Sequence, residues 1–326
     1  MPEIAYAAGE RRAAFLGMGG YVPEERLTNE DLTHRIETSD QWIRQRTGIA
    51  ERRIGLGMTT AQMALPAARA ALRAAEVLAE EIDLLVVGTS TPDRPFPSVA
   101  CELQRMIGNT SAMSIDLLAA CTSWLYAVSV AERYIVSGAS QRALVVGAEV
   151  MSRLMDYTDR GTCILFGDGA GAAVMGPSTT GGVLSFVSGA DGREAELIRC
   201  EPQQEDGGAM FLRMDGPETF RVAPRTMETA CRAACAKAGV GLGDIKVVVP
   251  HQANSRIVEI LAKRLALPLD MFLTNIDRYG NTSSASIPLV LDEAAAAGRI
   301  STGDLVLLVA FGAGLTWSAT VVRWGV

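Results

Sequence analysis

The sequence predicts an α/β protein with a buried sheet, built as two similar halves. Three observations carry this reading. Apolar runs rich in Val, Leu and Ile recur at 82–88 (IDLLVVG), 142–147 (RALVVG), 245–250 (IKVVVP) and 304–311 (DLVLLVAF). Continuous apolar strands, as opposed to alternating ones, belong to sheets covered on both faces. Ala-rich amphipathic segments such as 122–137 and 255–265 lie between them and read as helices. The third observation is a repeat. EIDLLVV at 81–87 resembles GDIKVVV at 243–249, and Gly138 follows Cys121 by the same interval as Gly298 follows Asn281. Acidic residues, Glu132 and Asp292, stand at matching places inside that interval. The short strands expected just before, at 115–116 and 276–277, differ by one residue in offset. The halves are 1–180 and 181–326. Packed about a pseudo-twofold axis, they bring the loops at Cys121, at Asn281 and after Pro250 to one cleft.

Composition narrows the function. The chain has 326 residues, 48% hydrophobic and 21% charged, which excludes a disordered chain. A net charge of −7 counts against nucleic acid as the partner, since phosphate binding wants a basic surface. Only two histidines occur, His34 and His251, so a multi-His metal site is excluded and no metal is expected. The six cysteines form no CxxC pair, which points to reduced thiols and a cytoplasmic location. The N-terminus lacks the apolar core of a signal peptide. The run 305–322 is long enough to span a bilayer. Gly312, Gly314, Thr316, Ser318 and Thr320 break it, so it reads as strand, glycine turn and strand, and no membrane partner is expected.

Three residues can carry chemistry. Cys121 (AACTSW) lies between a strand and a helix. The partial positive charge of a helix N-terminus favours a thiolate, hence a nucleophile; the alternative is a small buried cysteine. Cys231 and Cys235, one turn apart on an apolar helix face, fit that second description. His251 (VVVPHQAN) follows a buried strand, a usual place for a cleft residue, and also suits a hydrogen-bonded structural histidine. Asn281 (RYGNTSSASIP) can cap the next helix or donate from its amide to a developing oxyanion. The glycine runs FGDGAGAA and AFGAGLTW match no nucleotide loop, since neither a GxGxxG after a strand nor a GKS/T is present.

Cys121, HQAN at 251–254 and GNTSSAS at 280–286, in that order, resemble the catalytic set of β-ketoacyl-ACP synthase III. TSDQWIRQRTGI at 38–49, FPSVAC at 96–101, DRGTCILFGDGAGAAV at 159–174 and the terminal AFGAGLTW extend the resemblance from about residue 13 to the C-terminus. It implies a thiolase-like fold, a five-layered duplicated α/β core. It implies that Cys121 takes an acyl group from an acyl-CoA, with the backbone N–H groups of Cys121 and Ala313 as oxyanion hole. His251 and Asn281 then act on malonyl-ACP, and the carbanion left by loss of CO2 attacks the acyl thioester. Coenzyme A enters as a substrate thioester, and no bound cofactor is implied.

The resemblance also assigns Trp42, Arg46 and Arg160 to CoA, and Phe96 and Phe166 to the acyl pocket, Phe96 by reaching into the partner of a homodimer. Arg256, Lys263 and Arg264, on one helical face, would dock acyl carrier protein. Trp124 follows the nucleophile where small residues and Phe are usual, and is expected to reshape the acyl pocket. Ser90 and Arg153 are expected near the acyl end, where they would suit a dicarboxylic primer such as glutaryl-CoA in a biotin-forming branch. More distant readings are a non-condensing acyltransferase and an inactive thiolase-like scaffold.

Overall fold

The computed structural model describes residues 11–202 and 208–325. The apolar runs become strands. β1 (Arg12–Tyr21), an antiparallel pair of β2 (Arg26–Thr28) and β3 (Glu51–Arg53), β4 (Leu84–Gly88), β5 (Met113–Leu117), β6 (Ala143–Glu149) and β7 (Gly169–Ser178) come first. β8 (Gly182–Ala190), a hairpin of β9 (Ile198–Pro202) and β10 (Met210–Met214), β11 (Val247–Pro250), β12 (Leu305–Gly312) and β13 (Thr316–Arg323) follow. The helices are α1 (Asn29–Thr33), α2 (Asp40–Thr47), α3 (Thr60–Ala74), α4 (Val99–Ile107), α5 (Ser123–Ser137), α6 (Gly216–Ala238), α7 (Ser255–Leu265), α8 (Ile276–Tyr279) and α9 (Ser286–Ala296).

Two mixed sheets result. One runs β1-β7-β6-β4-β5 and the other β11-β12-β13-β8. β4, β5 and β6 pair in parallel, as do β11 and β12, while the remaining neighbours are antiparallel. Every residue of β4, β6, β11 and β12 is buried, because helices cover both faces. α3 and α4 pack on the outer face of the first sheet, α5 and α9 lie between the sheets, and α6 and α7 cover the outer face of the second. That is the five-layered core expected from the resemblance. The run 305–322 is β12, a turn and β13, paired antiparallel from Leu305–Arg323 to Gly312–Thr316. No helix among the described residues is long and apolar enough to cross a membrane.

The duplication is real but its register differs from the one read off the sequence. Leu84 opens β4 and Val247 opens β11, 163 positions later. The same offset relates the starts of α5 (Ser123) and α9 (Ser286), and the single turns before them, Ala120–Thr122 and Ser283–Ala285. Cys121 therefore corresponds to Ser284, not to Asn281. The expected strand at 276–277 is the start of α8, and one parallel bridge, Val248–Phe272, stands where β5 stands in the first half. α9 ends at Ala296 while α5 runs to Ser137 before its glycine cap, so equal intervals to a glycine do not mean equal positions.

Candidate active site

Cys121 sits in the single turn between β5 and α5, where Ala120 adopts a left-handed φ of +49°. A non-glycine residue held there is strained, and such strain marks sites where the surroundings dictate the backbone. Those surroundings include the far half of the chain. Thr316 Oγ1, from β13, donates to the Ala119 carbonyl at 3.1 Å. Gly312 lies so close that a Cβ on it would sit 2.9 Å from the Cys121 nitrogen.

His251 follows β11 and is 1% exposed, with its Nδ1 2.7 Å from the Ser286 hydroxyl. Burial lowers its pKa to about 3, so the imidazole is neutral. Asn281 follows Gly280, which has φ +65° and whose Cβ would sit 2.6 Å from the Leu165 carbonyl. Backbone hydrogen bonds from Asn281 N to Leu165 O (2.8 Å) and from Gly167 N to Asn281 O (3.1 Å) fasten it to the loop carrying Phe166. Asn281 caps nothing. Its amide oxygen accepts the Ser283 N–H at 2.8 Å, and the N-cap of α9 is Ala285. With the oxygen committed, the NH2 is the group left to act.

These side chains meet at one cavity of about 760 Å³, lined by Cys121, His251, Asn281, Ala313, Ser90 and Phe166 and opening past Trp42, Arg46 and Arg256. Ile198, Leu212 and Met214 of the β9–β10 hairpin, together with Leu154 and Phe220, make its walls apolar. Trp42 is flanked by two guanidinium groups, Arg160 at 5.0 Å and Arg46 at 5.6 Å from the ring centre. Arg160 also donates to the Glu37 carbonyl. Asn254 ties the mouth together, accepting from Arg256 N to cap α7 and donating to the Arg46 carbonyl.

Several expectations need correcting. The Cys121 thiol is not depressed. It keeps some open surface on the cavity, but burial pushes its pKa up to about 12, and the nearby Glu149 charge adds to this. The nearby Ser283 hydroxyl and the backbone N–H of Cys121 pull the other way. Trp124 does not reach the cavity. It is 1% exposed on the far side of α5 and stacks on Phe15 at 5.9 Å in the core between the sheets.

Arg153 lies apart from Cys121, at a second recess of about 480 Å³. It pairs with Asp93 at 2.8 Å and donates to Thr60, so its charge is already answered. Phe96 is 83% exposed and touches nothing of this chain's cavity. On α7, Arg256, Lys263 and Arg264 are all exposed, but Arg264 is held by Glu228 of α6 at 2.9 Å.

Sequence reasoning missed three residues, Glu149, Ser283 and Ser286. Glu149 ends β6 fully buried, and among the described residues no Lys or Arg pairs with it. Its carboxylate accepts from Thr91 Oγ1 (2.7 Å), Ser90 N (3.0 Å), Thr89 Oγ1 (3.3 Å) and Ser283 Oγ (3.2 Å). Burial raises its pKa, and these donors oppose the rise. An acid closing an otherwise apolar strand was the available signal for Glu149. Ser283 and Ser286 lay inside the quoted GNTSSAS motif, but their partners are distant in sequence. Among the described residues no group of three or more His, Cys, Asp or Glu side chains is placed to hold a metal.

Comparison with known proteins agrees with this geometry. The chain matches the family models for 3-oxoacyl-[acyl-carrier-protein] synthase III over residues 115–192 and for its C-terminal part over 235–324. It is 48% identical to a β-ketoacyl-[acyl-carrier-protein] synthase III of Geobacillus kaustophilus, covering 96% of this chain and 99% of that one. It is 46% identical to the Xanthomonas campestris protein of the same name, over 94% and 97% of the two chains. The solved 3-oxoacyl-[acyl-carrier-protein] synthase III of Aquifex aeolicus superposes with a TM-score of 0.92 at 43% identity, covering 96% of this chain and all of that one. A shared fold, close to half the residues identical and near-complete coverage place this chain in the β-ketoacyl-[acyl-carrier-protein] synthase III family.

Proposed function

We propose that this enzyme joins an acyl-CoA primer to malonyl-ACP by decarboxylative Claisen condensation, releasing CoA and CO2 and starting fatty acid synthesis. The observation that carries the reading is the convergence of Cys121, neutral His251 and the NH2 of Asn281 on one apolar cavity. Cys121 Sγ attacks the acyl-CoA carbonyl and keeps the acyl group. The N–H groups of Cys121 and Ala313 face the oxyanion, a role for which the close approach of Gly312 sets the spacing.

Malonyl-ACP then replaces CoA. His251 Nε2–H and the Asn281 amide donate to its thioester oxygen as loss of CO2 turns it into an enolate. Two neutral donors stabilise charge on oxygen without handing a proton to carbon. The carbanion attacks the acyl-Cys121 thioester, giving β-ketoacyl-ACP and freeing the thiol.

Trp42 between Arg160 and Arg46 offers a flat site for the CoA adenine, and Arg46 a phosphate contact. Arg256 and Lys263, with Arg264 as a weaker contributor, suit docking of an acidic carrier protein. A homodimer would form along the free edge strand β5, where Met113 and Phe96 are exposed, and would carry Phe96 into the partner's acyl pocket. A cytoplasmic setting suits the six unpaired cysteines. The dicarboxylic-primer reading loses its support, because Arg153 serves Asp93 away from the cavity.

The test is intact-protein mass spectrometry after mixing with acetyl-, butyryl-, isobutyryl-, octanoyl-, succinyl- and glutaryl-CoA, followed by malonyl-ACP. Acetyl or short acyl label on the wild type, none on Cys121→Ser, and discharge of that label to β-ketoacyl-ACP is the expected result. Label that survives loss of Cys121 would overturn it.

A further inference from the structure

The two N–H groups assigned to the oxyanion come from opposite halves of the chain. Cys121 N belongs to the turn before α5, and Ala313 N to the turn between β12 and β13. An oxyanion site works only if both donors reach one point at about 2.7–3.1 Å, so their relative placement has to be fixed. On the Cys121 side, Ala120 is held at a strained φ of +49°, a conformation that needs support from outside the turn.

Thr316, the first residue of β13, stands where the two turns meet. Its Oγ1 lies 3.1 Å from the Ala119 carbonyl and 3.1 Å from the Ala313 carbonyl, placed to donate to either. Each carbonyl belongs to the peptide unit next to the one that carries the oxyanion N–H, across Ala120 in one turn and across Ala313 in the other. A peptide unit is rigid, so holding one restrains the few torsions that aim its neighbour. The fully buried Thr122 hydroxyl lies 3.0 Å from the same Oγ1. With Thr122 donating in that contact, the single Thr316 proton is shared between the two carbonyls. Gly312 completes the junction, since a Cβ there would sit 3.1 Å from Thr316 Oγ1 and 2.9 Å from Cys121 N. Ala313 lines the cavity and Thr316 does not.

We propose that Thr316 is the positioning residue of the oxyanion site: its hydroxyl clamps the Ala119 and Ala313 carbonyls so that the N–H groups of Cys121 and Ala313 aim at one point. The inference rests on Cys121 being the acyl-carrying nucleophile. The clamp serves both steps that put a tetrahedral oxyanion at the Cys121 thioester, acylation by acyl-CoA and attack by the carbanion. It does not serve decarboxylation of malonyl-ACP, whose enolate oxygen is met by His251 and Asn281.

The experiment compares wild type with Thr316→Val, Thr316→Ala and Thr316→Ser. Single-turnover acylation of Cys121 by acetyl-CoA is read by intact mass over a range of acetyl-CoA concentrations. Conversion of malonyl-ACP to acetyl-ACP without primer, the enolate carbon taking its proton from solvent, reads decarboxylation by itself. Thermal melts confirm that each variant is folded, and Thr316→Ala is read in place of Thr316→Val if the latter does not fold.

Losing an oxyanion donor outright costs on the order of 10²–10³ in rate, so misaiming one is expected to slow acylation by Thr316→Val roughly tenfold or more at saturating acetyl-CoA. The half-saturating concentration and the unprimed decarboxylation should stay within about twofold of wild type. Thr316→Ser, which keeps the hydroxyl, should recover acylation to within about threefold. A folded Thr316→Val or Thr316→Ala that acylates like wild type overturns the clamp. So does an equal loss of acylation and decarboxylation, which would make Thr316 a support of the fold alone, and so does a folded Thr316→Ser as slow as Thr316→Val. With wild type labelled and Cys121→Ser unlabelled, these outcomes leave the nucleophile assignment standing. A wild type that takes no label at Cys121 overturns that assignment and the clamp together.

Discussion

Ser286 Oγ lies 2.7 Å from Nδ1 of His251, joining the first turn of α9 to the residue after β11. A hydroxyl proton given to Nδ1 leaves the ring's own proton on Nε2, the form that can donate to an enolate oxygen. Ser286→Ala frees the tautomer. Turnover in condensation should fall about tenfold, the worth of one hydrogen bond of about 1.4 kcal/mol, with acylation of Cys121 little changed. Equal loss in both half-reactions would mean that Ser286 supports only the fold.

The buried titratable pair gives opposite pH signatures. His251 has a native pKa of about 3 against 6.5 when unfolded, so the unfolded chain gains a proton as pH falls below 6.5 while the native chain does not. Stability from this group is lost between pH 6.5 and 3. Replacing it with Asn should flatten the fall in Tm between pH 7 and 4.5, by the equivalent of on the order of 2 kcal/mol. Glu149 is raised in the native state, so the native chain binds its proton first as pH falls, and its buried charge costs stability at high pH. Glu149→Gln should melt above wild type at pH 8, and that advantage should shrink at pH 5.

Gly312 leaves room for the turn that carries Cys121. A methyl group there would meet Cys121 N at 2.9 Å and the Ala119 carbonyl at 3.1 Å, both backbone atoms that cannot swing aside. Gly312→Ala should cut acylation by at least about tenfold through a displaced oxyanion site, a cost of about 1.4 kcal/mol or more in the barrier. Single-turnover labelling beside a melt separates this from general unfolding.

Trp124 is a core residue. Trp124→Phe should cost about 1–3 kcal/mol in denaturant unfolding, in line with shortened core side chains. The preference among acyl-CoA primers should not change. A shifted primer profile would return Trp124 to the pocket wall.

Trp42→Ala removes the ring that Arg160 and Arg46 flank. Loss of about 1–2 kcal/mol of stacking should raise KM for acyl-CoA by roughly 5–30-fold with kcat nearly unchanged. A drop in kcat alone would place Trp42 outside the CoA site.

The fold and the three side chains that meet at the cavity were legible in the sequence because both are written locally. Strand runs at 82–88 and 304–311 announce a covered sheet by composition, and Cys121, His251 and Asn281 each stand inside a contiguous motif. The arginines beside Trp42 were assigned from motifs of the same kind. What could not be read depends on depth and on partners far along the chain. The sequence placed Trp124 three residues from Cys121, but the helical turn of α5 sends it away from the cavity, onto Phe15. It placed Arg153 among pocket residues without showing that Asp93 claims it.

The ionisation of the site was decided last, and only by the tertiary structure. A helix N-terminus favours an acidic thiol, yet desolvation beside the cavity pushes the thiol up. The same burial neutralises His251 and raises Glu149, and the fold brings Ser283, 162 positions from Cys121, to the same cavity and against Glu149. Residue type and spacing determined which groups this protein has for chemistry. Desolvation, a property of the whole packed chain, decided how readily each of them holds a charge.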